Sequence, residues 1–465
     1  MSYFSGHNHT HYSNVRLLDS TIKENQLIDQ ALKLGLFGVA VTDHDTLSSH
    51  IKISSYLKEL REEAKTDEEK EKLNNFKLIL GNEIYLVRNG LNRHNYIKGE
   101  DRYWHFILLA KDEIGHEQLR KISSLAWKRS FRQYIERVPT YYSDIEEVIK
   151  DNKGHLIAST ACLGSLFAHL LIQGLKDIEK QEELLNFCDW CKEMFGEDFY
   201  IEIQPSNQMD QILYNKLALK FAQYHNIKII ITTDSHYLTE KDRKIHKAFL
   251  NANEGEREVD AFYSATYMMS WEEICEYMKY FTKDNLEEIR LNTIEIMNKC
   301  KEYSFKRNQV VPRSPIPKDY PRGKIPPGLR YPNICKFFTS QYEDDNYFIS
   351  LLTNKLFELG KINGGVWYKN HLERLEIECE EIWLVSERIE ERLSSYFLTM
   401  TKIIDIAWNE SESIVGPGRG SSYVMLACYL LGITQGDPLD SPVELPHWRF
   451  LHREKKELPK QILGK

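Results

Sequence analysis

No stretch of this 465-residue chain approaches the roughly 18 consecutive apolar residues that a membrane-spanning helix requires. The opening Met1-Ser-Tyr-Phe-Ser-Gly-His7 likewise lacks a basic head followed by an apolar secretory segment, so cytoplasmic residence with no membrane partner is expected. Cysteine is too thin for a disulfide framework: the eight are scattered at 162, 188, 191, 275, 300, 335, 379 and 428. The single CxxC, Cys188-Asp-Trp-Cys191, lies in a helical pattern with no second pair to complete a zinc site, which predicts reduced thiols. An excess of positive charge is also missing. With a net charge of −8 the surface as a whole is no attractor of nucleic acid, and the strip Lys128, Arg129, Arg132 and Arg137 reads equally as a solvated face or a local phosphate contact. There is no internal repeat and no low-complexity tail.

What is present is a globular composition, 42% apolar and 28% charged, in a chain long enough for two or three domains. Up to about residue 285, strand candidates at 37–42, 76–86, 104–111, 155–160, 199–204 and 227–234 alternate with amphipathic segments. One such segment, 21–34, opens with Thr21-x-x-Glu24, the form of a capping box. This alternation argues an α/β fold, a parallel sheet or barrel with helices outside, whose sites sit at the strands' C-terminal ends. Seven of the fourteen prolines, at 312, 315, 317, 321, 326, 327 and 332, then predict an extended connector. From about 334 the pattern is helical, with Leu372, Leu375, Ile382 and Val385 on apolar faces. The expected domains are therefore 1–285, a connector over 286–333, and 334–465.

His7-Asn-His9 places two imidazoles on one side of an extended segment, a common metal-ligand geometry and also a pattern that two surface histidines produce. The other strand ends add weight. Asp43-His44 closes one strand, Glu83 interrupts the next, His105 enters a third, Cys162 follows a fourth, and Asp234-Ser-His236 closes the last. These are the side chains that ligate zinc, manganese or iron. Asp43 reads as a carboxylate that orients His44, and Cys162 fits either a ligand or a buried thiol.

Near the far end, Val415-Gly-Pro-Gly-Arg-Gly-Ser-Ser422 runs into an apolar segment, 423–431, that reads as a helix. A glycine turn at a helix start exposes backbone N–H groups to an anion such as a phosphate, and Arg419 adds a forked cation; the same glycines also serve a tight turn for geometry alone.

Together with Leu430-Leu-Gly-Ile-Thr434, Asp437-Pro-Leu439 and Trp448-Arg-Phe-Leu451, this turn resembles the palm entry of bacterial replicative DNA polymerases, the polymerase III alpha subunits. The earlier motifs resemble the polymerase and histidinol phosphatase (PHP) domain that opens those subunits. They are His7-Asn-His9-Thr-His11-Tyr12-Ser13, Leu17-Leu18-Asp19, Thr42-Asp43-His44, Gly81-Asn-Glu83-Ile-Tyr85, Ala161-Cys-Leu-Gly-Ser165 and Asp234-Ser-His236-Tyr-Leu238. The resemblance implies a PHP-type distorted (β/α) barrel followed by a mostly helical region leading into a nucleotidyltransferase-like palm. It implies nine metal ligands, His7, His9, Asp19, His44, Glu83, His105, Cys162, Asp234 and His236, holding two or three divalent ions, zinc foremost and manganese or iron as alternatives. Asp19 as a ligand rests on the resemblance alone, since it also suits a helix start, and His11 matches no ligand position. An intact set implies phosphoesterase or 3′–5′ exonuclease chemistry, with His7, His9, Glu83 and Asp234 acting through metal-activated water. Gly418, Arg419, Gly420 and Ser421 are the implied phosphate contacts.

In that family a run carrying the catalytic aspartates follows, where this chain reads Leu458-Pro-Lys-Gln-Ile-Leu-Gly-Lys465. The expectation is a chain that does not polymerise DNA alone, from a split or interrupted gene or a truncated product. Its implied partners are DNA, deoxynucleoside triphosphates with magnesium in a complete enzyme, a separate C-terminal polymerase fragment and replisome proteins. Two other readings use the same residues: a free-standing PHP phosphoesterase or nuclease with a vestigial palm, and a non-catalytic scaffold whose metals only hold the barrel together.

Overall fold

A computed structural model describes residues 2–454 apart from 16, 17, 93, 98–100, 134–137, 253–261, 306–309, 325, 327–329, 412 and 419. The chain divides into two compact units, Met1–Phe305 and Lys306–Lys465. Among the described residues no helix is long and apolar enough to cross a membrane.

The first unit is built on one mixed sheet of β1 (Phe4–Ser5), β2 (Gly38–Val41), β3 (Lys77–Val87), β4 (Trp104–Ala110), β5 (Pro139–Tyr141), β6 (Leu156–Ser159), β7 (Phe199–Ile203) and β8 (Lys228–Ile231). Their order is β1-β2-β3-β4-β6-β7-β8, with β5 on β3. Past the two outer strands, the His9 N–H donates to Ser235 O at 2.9 Å and the Ser235 N–H to His7 O at 3.3 Å. The sheet thereby curls into a nearly closed barrel. All six expected strands are present. β1 and β5, of two and three residues, are too short to leave an alternating pattern in sequence.

One strand departs from the expected parallel arrangement. β4 runs antiparallel to both β3 and β6, and among the described residues no helix lies between β3 and β4. Parallel neighbours need a long crossover, antiparallel ones do not. The reversal has a functional consequence: His105, near the start of β4, reaches the rim that the parallel strands reach at their ends.

Burial explains why these strands read as apolar runs. Their outer faces, including Val39, Val41, Leu80, Leu108, Ala158, Ile201 and Ile231, join the helices in the main core. Their inner faces, Phe4, Ala40, Ile79, Ile107, Leu109, Ile157, Tyr200 and Ile230, form a second cluster with Ile296 and Cys300. Strands covered on both sides lose the polar alternation. The period of two nevertheless persists inside the barrel. From the apolar floor it climbs through Gly81 to Glu83 on β3, through Glu202 to Gln204 on and beyond β7, and through Thr232 to Asp234 beyond β8. Gly81 lies so close to β4 that a Cβ would sit 2.7 Å from Leu108 O.

Two sequence expectations need correction. The helix Lys283–Lys299 belongs to the barrel, not to a connector starting at 286: it buries Leu286, Ile289 and Ile296, Asn292 donates to Ile229 O at 2.8 Å, and Thr293 accepts from the Phe4 N–H at 3.3 Å. The first amphipathic helix starts at Glu24 rather than at a Thr21 cap, because the Thr21 hydroxyl is turned toward His236 O and the Lys23 N–H is met by Gln26.

In the second unit, helices Pro332–Phe338, Glu343–Asn363, Gly365–Ile389 and Leu393–Asn409 enclose Ile334, Phe337, Phe348, Leu352, Leu375, Ile382 and Phe397. The described residues of 310–330 form neither helix nor strand, as the prolines require. The expected helix 423–431 is instead a 3-10 turn, Gly420–Val424, and a short helix, Leu426–Leu430. Its break has a cause: Met425 is extended (φ −92, ψ 122), and the next two N–H groups turn to the buried carboxylate of Glu378.

Candidate metal centre

The barrel rim gathers the nine side chains that the sequence singled out. His7 and His9 extend from β1, His44 from β2, Glu83 stands on β3, His105 on β4, and Asp234 and His236 follow β8. Asp234 sits at φ +46, a left-handed conformation that is uncommon outside glycine and is most often taken by aspartate and asparagine. Three overlapping groups place ligand atoms close enough to share an ion: His9, Asp19, His44 and His236; His7, His9 and Asp234; His44, Glu83 and His105. Cys162 stands at the edge, its Sγ 3.6 Å from His105 Nδ1.

The surrounding hydrogen bonds fix which nitrogen of each imidazole faces inward. The Glu202 carboxylate lies 2.7 Å from His7 Nδ1 and also accepts from Ser159 and Thr232 at 2.7 and 2.6 Å, so His7 Nδ1 donates. The Ser13 hydroxyl donates to Asp43 at 2.9 Å and must therefore accept from His9 Nδ1 at 3.0 Å. His236 Nδ1 donates to its neighbour's carbonyl, Asp234 O, at 2.7 Å. In all three rings this leaves Nε2 turned to the cluster. Asp43 itself is consumed by Thr10, Ser13 and Ser49 and by the Thr10 N–H, which makes it an organiser of the loop before His44.

The inward atoms crowd. His7 Nε2 and His9 Nε2 are 3.0 Å apart, and each lies 3.1–3.4 Å from Glu83 Oε2 and Asp234 Oδ1. Asp19 Oδ2 is 2.9 Å from His44 Nε2 and 3.0 Å from His236 Nε2, and His44 Nδ1 is 2.9 Å from Glu83 Oε2. Yet at these distances His44 Nδ1, Glu83 Oε2 and Asp234 Oδ1, all buried, align in no hydrogen bond. Leaving such atoms unmade costs about 1–3 kcal/mol each, more for charged groups. Buried lone pairs converging from several strands fit a cation, whose bonds need no intervening proton.

Electrostatics agree. Burial alone would raise the carboxyl pKa of Asp19, Glu83 and Asp234 and lower the imidazole pKa of His7, His44 and His236. Mutual proximity overrides burial, holding these carboxyls below their usual range and these imidazoles above theirs. The pocket thus favours positive charge, as protons or as metal. Burial, with Asp234 and Glu83 beside it, pushes the Cys162 thiol up, a tendency that a coordinated cation reverses.

Several participants had no place in the sequence reading. Glu202 left one signal, a lone carboxylate in the apolar run Phe199–Ile203. Gln204 reaches Asp234 Oδ2 at 3.3 Å, Tyr263 donates to Asp19 Oδ1 at 2.6 Å, and His246 Nε2 lies 2.6 Å from Asp19 O; none has a local motif. His11 stays outside, 42% exposed and 3.4 Å from Glu24. Of the basic strip, Arg129 is committed to Asp144, Pro139 O and the face of Tyr141; Arg137 lies outside the described residues.

The glycine turn belongs to the second unit. Gly418 and Gly420 adopt φ +130 and +67, and Gln435 donates to Pro417 O at 2.7 Å. Arg419 lies outside the described residues, as do 455–465. The N–H groups of Leu426 and Ala427 already bond Glu378 at 2.8 and 2.9 Å, so the short helix start is closed by the protein's own carboxylate.

The family model described as PHP domain matches residues 5–206 of this barrel unit. A second, described as bacterial DNA polymerase III alpha NTPase domain, matches residues 347–460. The chain is 39% identical over 471 residues to the probable DNA polymerase YorL of Bacillus subtilis, covering 97% of this chain and 36% of that protein. It is 29% identical over 470 residues to the DNA polymerase III subunit alpha of Aquifex aeolicus, covering 97% and 35%. A solved structure from Bifidobacterium adolescentis aligns with 59% of this chain and 96% of its own at 16% identity and a TM-score of 0.30, too slight to carry an argument. The chain therefore joins a segment that matches the PHP domain to one that matches the DNA polymerase III alpha NTPase domain, and it spans only 36% and 35% of the length of those two relatives.

Proposed function

We propose that the first unit holds two or three divalent cations and hydrolyses phosphoesters, its substrate being the 3′ end of a DNA strand. His7, His9, Asp19, His44, Glu83, His105, Cys162, Asp234 and His236 would hold the ions. The mixture of imidazole, carboxylate and thiol suits zinc best, and manganese or iron next. When bound, such ions grip phosphate oxygens and lower the pKa of water. The chain's own groups prepare the site: Glu202 and Ser13 keep the Nε2 atoms of His7 and His9 bare, while Tyr263 and Gln204 restrain the outer oxygens of Asp19 and Asp234. The observation that carries this reading is the convergence of buried atoms on His44, Glu83 and Asp234, which lie within ion-pair distance of one another and of His9 yet align in no hydrogen bond.

The wider role is DNA replication. DNA and, in a complete enzyme, deoxynucleoside triphosphates with magnesium would be the partners, with Gly418, Arg419, Gly420 and Ser421 meeting the triphosphate. A separate polymerase segment and replisome proteins would join them in the cytoplasm.

The test is trimming of 5′-labelled single-stranded DNA by the chain supplied with zinc, manganese or iron. Asp234→Asn and His9→Ala should each lower the rate by roughly a hundredfold or more while circular dichroism stays unchanged. Failure of the wild type with all three metals would overturn the hydrolase and leave a structural metal site.

A further inference from the structure

Beside the cluster, a cavity of about 550 Å³ opens over the barrel rim, lined by Arg102, Trp104, His105, Gly164, His169 and Asp210 among others. His105 belongs to both places. Its Nδ1 lies 2.7 Å from Glu83 Oε1, while its opposite edge lies under Gly164, where a Cβ would come within 3.1 Å of Cδ2. Glycine at 164 thus packs against the imidazole more closely than a side-chain-bearing residue could without shifting it.

Strand alternation supplies the other wall. Successive residues of β4 point to opposite faces, so His105 enters the barrel rim and Trp104 stands on its outer side. The Trp104 and His169 rings pack against each other in the groove wall, with centroids 4.9 Å apart at 34°. The exposed guanidinium of Arg102 lies 5.5 Å from the Trp104 ring. Asp210 on the rim makes the charge mixed, which disfavours a general trap for phosphates and suits a base with one neighbouring phosphate.

A stacking surface, a single cation and an adjoining phosphoester site are the parts that grip a single-stranded nucleic-acid end. We infer that this groove seats the 3′-terminal nucleoside of a DNA strand, its base against Trp104 and His169 and a flanking phosphate at Arg102, so that the terminal linkage reaches the rim beyond His105. The inference rests on the phosphoesterase reading for what happens to that linkage, but the seating itself is testable without turnover.

Fluorescence anisotropy with a 5′-labelled tetranucleotide carrying hydrolysis-resistant phosphorothioate linkages would be compared with the same oligomer ending in an abasic 3′ nucleotide. The wild-type chain should bind the base-bearing end about tenfold more tightly. Trp104→Ala should remove that preference while binding the abasic oligomer as the wild type does, and Trp104→Phe should restore it. His169→Ala, a helix-surface change, should weaken the preference without threatening β4. Gly164→Ala, by pressing on His105, should weaken binding of both oligomers. Equal binding of the two oligomers by the wild type, or an undiminished preference in Trp104→Ala, would overturn the groove. A chain that prefers the base-bearing end but trims no unmodified DNA keeps the groove and loses the hydrolase; one that trims unmodified oligomers with either end alike and shows no binding preference does the reverse.

Discussion

The two units bury carboxylates in different ways. In the helical unit each buried carboxylate is answered by donors. Both oxygens of Glu378 are taken, one by Arg374 and the Leu426 N–H, the other by the Ala427 N–H. Asp345 meets Arg392, Ser340 and Ser394, and Asp437 meets His371 and the Leu439 N–H. In the barrel, three carboxylates and five imidazoles crowd one rim and leave inward-facing atoms without hydrogen bonds. A satisfied buried charge shapes a fold. A convergence of buried carboxylates and imidazoles that align in no hydrogen bond suits a cation, whose charge offsets their desolvation.

The largest effect that would sharpen this contrast falls on Glu378. Glu378→Ala leaves the Arg374 Nε–H and two backbone N–H groups without their acceptor and should cost about 3 kcal/mol, read as roughly hundredfold faster amide exchange at 426 and 427. Unchanged exchange there would break the comparison. Burial raises the Glu378 pKa above its ordinary 4.5, although Arg374 and the two N–H groups pull it back. The folded unit therefore binds this proton more tightly than the unfolded chain. That contribution is fully present below the ordinary value and is lost as pH rises through the raised one. Glu378→Gln should flatten this dependence.

A smaller effect is expected from Glu202, which touches no proposed ion and acts by holding His7. Glu202→Ala should weaken metal binding by about 10–100-fold, measured by competition with a chromogenic chelator. Equal affinity in the variant would mean that the orientation of His7 is set elsewhere.

The contrast also explains what was legible in the sequence. Strands buried on both faces announce themselves as apolar runs, and ligands at their ends fall into short local motifs. Glu202, Tyr263 and His246 act across 195 to 244 residues of sequence separation, on His7 or Asp19, and leave no such motif. The antiparallel sense of β4 was hidden because strand direction is a property of pairing, not of composition. The break at Met425 was hidden for a related reason: helix propensity over 423–431 yields to a carboxylate that the chain supplies 48 residues earlier.

The central claim is that the rim of the barrel is completed by metal. Elemental analysis of the whole chain purified without chelator should find about two or three divalent ions per molecule, and chelation should lower the melting temperature of the first unit. A metal-free chain that melts at the same temperature with and without added zinc, manganese or iron would contradict the account.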